Sequence, residues 1–139
     1  MNIFEVFASK WVKEKLGVHH GREDQAIIEC FEKNGVTPSK DLLTLYKVVD
    51  GKDSMDSEHF RLWSLEEINT ENGRRDEKEQ TAKYGVLFAD FLINSSRYRV
   101  NNKGEVLMDD FINSETGHKW NSVSEFFQLM AKDPNEILY

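Results

Sequence analysis

Cysteine is nearly missing from this chain of 139 residues. Cys30 stands alone, which excludes an internal disulfide and any zinc site built from several thiolates. A reducing cytoplasm is the expected setting. No stretch approaches the ~20 apolar residues that cross a bilayer. The N-terminus does not read as a signal peptide, because Glu5 comes early and Ser9, Lys10 and Lys13 interrupt its apolar positions. Glycine-rich phosphate loops are missing too: neither GxGxxG nor the P-loop pattern occurs, so no row of backbone amides is set up to cradle a phosphate. Positive charge is in deficit, with 18 Lys and Arg against 25 Asp and Glu. Nucleic acid and anionic membranes would be repelled by such a chain, whereas a basic protein would be attracted.

The acid excess is concentrated. Residues 50–58 carry Asp50, Asp53, Asp56 and Glu58 against Lys52 alone. Residues 105–139 hold seven acids, among them Asp109, Asp110 and Glu115, against Lys119 and Lys132. The remainder of the chain is close to neutral, so these two segments account for the net charge of −7.

Apolar spacing divides the chain into helices, then strands, then a closing helix. Phe4, Phe7 and Trp11 recur at three and four residues and predict a helix over 3–16, ended near Gly17. Ile27, Ile28 and Phe31 predict a second over 22–33, stopped by Asn34-Gly35. Thr37-Pro38 reads as the cap and first position of a third. Leu42, Leu45, Tyr46 and Val49 follow at helical spacing, and Asp50-Gly51 closes it. Phe60-Arg61-Leu62-Trp63 reads as a short strand, and Ser64-Leu65-Glu66-Glu67 as a capping box opening a short helix. Residues 69–83 have no apolar face and predict a mobile polar loop or frayed helix. The most apolar segment, 84–93, predicts a central strand. Arg97 to Val100 and Glu105 to Met108 predict a hairpin around Asn101-Asn102-Lys103-Gly104. Ser122-Val123-Ser124-Glu125 announces the last helix, which Asp133-Pro134 ends. This order predicts an α+β fold in one domain over 1–139: a single curved, mainly antiparallel sheet with N-terminal helices, a closing C-terminal helix and residues 1–21 as a helical extension.

Chemistry is hard to find. His19 and His20 are adjacent and lack the i, i+4 placement that lets two imidazoles share a metal. His59 and His118 fall in predicted loops. Cys30 shares a helix face with Ile27 and Phe31, where a buried thiol is inert. Asp109 and Asp110 would point to opposite faces of a strand and so could not converge as a catalytic pair. The expectation is therefore no enzyme activity, no cofactor and no metal.

Four ordered pieces resemble the SUKH superfamily, named after fungal cell-wall-synthesis regulators and populated mainly by bacterial immunity proteins. They are the helix from Pro38 to Asp50-Gly51; the strand-to-helix run from Phe60 to Ile68; the hairpin from Tyr98 to Val106; and Trp120-Asn121-Ser122-Val123-Ser124-Glu125-Phe126-Phe127. The likeness covers about residues 23 to 131. The chain departs from the pattern in the acidic run from Lys52 to Glu58 and in its N-terminal helix. The resemblance implies a curved sheet backed by helices and a role as an antitoxin that binds a cognate toxin domain, often a nuclease, inside the producing cell. Partner contacts would come from Asp50, Asp53, Asp56 and Glu58 and from Asp109, Asp110 and Glu115. A regulatory scaffold with several protein clients is the alternative.

Overall fold

The computed structural model describes residues 2–109 and 119–137. Helix α1 (Ile3–Lys13) opens on Asn2, whose Oδ1 accepts the Glu5 N–H at 2.9 Å while Glu5 Oε1 accepts the Asn2 N–H at 3.2 Å. Both free amides are thus satisfied by a reciprocal cap. The chain continues through β1 (Val18–His20), α2 (Asp24–Lys33), α3 (Lys40–Val48), β2 (Val49–Lys52) and β3 (Phe60–Leu62). Then come α4 (Leu65–Asn72), α5 (Lys78–Tyr84), β4 (Val86–Phe91), β5 (Ser96–Val100), β6 (Val106–Met108), β7 (Lys119–Trp120) and α6 (Val123–Lys132). A single 3-10 turn, Pro134–Ile137, follows.

Strands β3 to β7 form an antiparallel meander in chain order, and β1 pairs with β2 in a separate two-stranded ribbon. The fold is α+β as expected, with that ribbon added to the one sheet the sequence suggested. Helix α6 joins the layers through two adjacent rings. Phe126 packs on the sheet side, 5.0 Å from Tyr98, 5.1 Å from Trp120 and 6.0 Å from Phe60. Phe127 turns to α1, meeting Phe4 at 5.3 Å and Phe7 at 5.2 Å, edge to face. The described part of the expected extension, residues 2–21, is therefore no appendage: Phe4, Phe7 and Trp11 are core, and the segment supplies β1 as well.

Several local expectations need correction. Residues 69–83 are largely helical, comprising the end of α4 and most of α5, with no apolar stripe to announce them. Polar anchors do that work. Asn72 is buried, donating to the carbonyls of Ile68 (2.8 Å) and Leu87 (2.9 Å) and accepting from Thr81 Oγ1 and the Leu87 N–H, both at 2.9 Å. All four amide valences are filled. Helix α3 is capped by Ser39, whose Oγ accepts the Leu42 N–H at 3.3 Å, and not by Thr37, whose own N–H is bonded to Asn102 Oδ1 at 2.8 Å. The chain leaves α3 straight into β2, and Gly51 is needed for a close approach: its φ is 72°, and a Cβ there would lie 2.3 Å from Ser64 N. At α4 only half the capping box forms. Ser64 Oγ accepts the Glu67 N–H, but the Glu67 carboxylate is gripped by both amino groups of Arg61 at 2.7 and 2.8 Å.

Candidate functional site

The acidic segment 50–58 is folded half inward. Asp50 is buried, and its Oδ1 accepts the Leu65 N–H at 2.8 Å, so it acts as a second cap on α4. Asp56 is buried as well. It accepts from Trp11 Nε1 at 2.9 Å and from the N–H groups of Glu58 and Phe60, and its Oδ2 lies 3.8 Å from Lys52 Nζ. Lys52 is completely enclosed, with its ammonium 4.4 Å from the Trp11 ring centre and donating to the Phe60 carbonyl at 2.6 Å. Burial pushes this ammonium down to about 8, against the opposing pull of Asp56 and Glu14. Neither Asp50 nor Asp56 is free to meet a partner, contrary to the expectation from charge alone, because buried backbone amides and a buried cation claim them. Asp53 and Glu58 are exposed. Asp53 holds His19 Nε2 at 2.7 Å.

Asp109 also turns inward. It accepts from Arg97 at 2.8 Å and Arg99 Nε at 2.6 Å, and Glu77 binds the same two guanidinium groups at 2.8 Å each. Arg99 is fully buried and further donates to the Gly85 carbonyl at 2.9 Å. This network ties α5 to the sheet, so Asp109 is a structural residue and not a contact. Asp110, Glu115 and His118 lie outside the described residues.

What the charge pattern did not reveal is an apolar surface bonded to His59, the residue after Glu58. Strand β4 stops at Phe91, and Leu92 and Ile93, expected as strand, instead form the tip of the β4–β5 hairpin, 43% and 75% exposed. Leu92, Ile93 and Asn94 have φ of 49°, 49° and 65°. Three consecutive non-glycine residues in the left-handed region cost roughly 1–2 kcal/mol each, and a β-branched residue suits it least. The tip is nonetheless pinned: the Leu92 N–H donates to the His59 carbonyl at 3.0 Å, and Ser95 N–H to Leu92 O at 3.2 Å. His59 is itself left-handed, at φ 68°, with its ring edge-on to Phe91. Glu58 also lines a groove of about 230 Å³, walled by Val6, Phe7, Met130 and Pro134 with Lys10 beside them. The sequence signal for the tip was the position of Asn94-Ser95-Ser96, turn residues that start two positions too late to make the whole loop.

Reactive groups are few. The Cys30 thiol sits 3.5 Å from the Leu65 carbonyl and from Asn69 Oδ1, and burial, helped by Asp50, pushes it up to about 12. It is a protonated, inert thiol at neutral pH. Among the described residues no three His, Cys, Asp or Glu side chains gather as metal ligands, and no helix is long and apolar enough to cross a membrane. The chain matches no family model and no curated protein.

Proposed function

We propose that this chain is an immunity protein, a binding domain that neutralises a basic toxin protein inside the producing cell by covering its active-site cleft or a surface near it. The observation that carries the reading is the acidic segment 50–58, the end of β2 and the loop that follows it. Its inner acids, Asp50 and Asp56, brace it on the core, while Asp53 and Glu58 are left outward, Glu58 next to the His59 whose carbonyl holds the exposed Leu92-Ile93 tip. An apolar patch with a charged margin is what protein interfaces are made of.

The residues that resemble the SUKH pattern support the reading in another way. Asp50 and Gly51 seat α4, Tyr98 donates its hydroxyl proton to the Ile137 carbonyl at 2.9 Å, and Trp120 packs on Phe126. Each builds the scaffold, which leaves recognition to residues on the surface.

The partner-facing acids on this reading are Asp53 and Glu58, and exposed charges act mainly on the rate of encounter. The test is the double reversal Asp53→Lys, Glu58→Lys, assayed against the protein encoded immediately upstream. Association should slow by roughly tenfold or more at low salt and by less at high salt, with protection from toxicity weakened in parallel. A reversed protein that binds and protects like the parent would refute the electrostatic basis of the proposal.

A further inference from the structure

We propose that Leu92 and Ile93 are the apolar anchor of the interface, entering an apolar pocket on a basic protein partner whose rim cations meet Glu58. This rests on the reading of the chain as a protein-binding domain; it adds where the contact is centred and what the partner must offer.

Nothing in the fold uses the Ile93 side chain, which is three-quarters exposed. A hairpin loop with left-handed residues is best served by glycine, asparagine or aspartate, and here the two central apolar residues are among the worst choices. The tip is therefore unfavourable in its backbone and in its surface together, in a chain whose other described turns are polar. Strain of this kind marks positions kept for something other than stability. The tip is also preorganised. Leu92 is bonded to the left-handed His59, so the two irregular segments hold each other in place before any partner arrives. A fixed apolar knob loses little freedom on docking, which is the property of a binding hot spot.

Charge selects among occupants. Residues 92–96 are uncharged, and the cation that follows them, Arg97, is already paired with Glu77 and Asp109. The Leu92 N–H is bonded to His59, the neighbour of the exposed Glu58, and the whole chain is at −7. A basic rim complements that arrangement. A second copy would carry the same net charge of −7, and two aliphatic side chains offer less apolar surface than a single acyl chain, which by itself holds a protein on a bilayer only marginally.

The decisive variant is Ile93→Asn, which removes the apolar group and installs a residue that accepts the left-handed conformation. Its thermal midpoint should equal or exceed that of the parent, so lost binding could not be blamed on unfolding; Ile93→Gly serves as the second variant. Affinity for the protein encoded immediately upstream should fall roughly 30-fold, mainly through faster dissociation, where the charge reversals act on association. If the parent binds that protein and Ile93→Asn binds equally well, the anchor is refuted and the binding reading survives. If the parent does not bind it at all, the reading beneath both falls. Self-association of the parent in sedimentation, or its co-sedimentation with phosphatidylcholine vesicles, would overturn the proposal if abolished in Ile93→Asn, since the tip would then serve another copy or a lipid surface.

Discussion

Strand β5 runs between two turns built on opposite principles. At its far end, Asn101 to Gly104 has the chemistry a hairpin asks for. Asn101 Oδ1 accepts the N–H groups of Lys103 and Glu105, both at 3.0 Å, and Gly104 takes the left-handed position at φ 79°. Asn102 then fastens the turn to the α2–α3 connection through Thr37 N and Gly35 O. The Glu105 carboxyl is held below its usual range by the Asn101 amide and by Lys119. At the near end, Leu92 to Ser95 has apolar side chains in water and left-handed residues without a glycine. One turn closes the sheet and is finished. The other carries apolar surface that the fold itself does not need.

The largest test of this contrast strikes the foundations of the two ends. Asp56→Ala would leave Lys52 buried without a counter-ion and strip the acceptor from Trp11 Nε1 and from the Phe60 N–H. A loss of about 3–5 kcal/mol is expected from urea unfolding, against about 1–2 kcal/mol for Asn101→Ala, which removes a neutral amide. Equal losses would mean that both ends are held alike.

Next in size is a pH effect confined to the near end. Lys52 sits at about 8 in the folded protein against an ordinary 10.5. Between these values the unfolded chain binds the extra proton, so the free energy of unfolding should rise with pH through that window. The contribution is at most about 3 kcal/mol. It should appear as a urea midpoint that climbs from pH 8 to 10.5 relative to Lys52→Met, in which this component is gone. Parallel curves for the two proteins would refute the burial of a charged ammonium here.

The smallest test is a pair of mirror substitutions. Gly104→Ala puts a side chain into the left-handed region and should cost about 1 kcal/mol, while Ile93→Gly relieves the same conformation and should gain about as much. Shifts of the thermal midpoint in opposite directions are expected; the same sign for both would remove the distinction between the turns.

Where local chemistry and fold agree, the sequence was easy to read. The helices with Phe4, Phe7 and Trp11 on one face, or with Val123, Phe126, Phe127 and Met130, carry their period openly, and the Asn101–Gly104 hairpin names its own turn. Helix α5 was hidden because its anchors, Thr81 to Asn72 and the Glu77 pairs with Arg97 and Arg99, are polar and distant in sequence. The acidic clusters misled for a related reason. A count of charges cannot distinguish Asp53, in solvent, from Asp56, three residues on and enclosed by Trp11, Lys52 and Phe60. The apolar tip was invisible because Leu92 and Ile93 extend a hydrophobic run without a break, and only the pairing of Phe60 with Phe91 shows where the ladder ends.

The way Phe60 is treated also limits how any partner can dock. Strand β3 is the outermost rung of its sheet, and open rungs invite a foreign strand to join by main-chain pairing. At Phe60 the invitation is withdrawn: its carbonyl already serves the Lys52 ammonium and the Asp56 amide, and its N–H is spent on the Asp56 carboxylate. A guest peptide cannot lengthen the sheet at that point, so a partner at this end would have to be met by side chains.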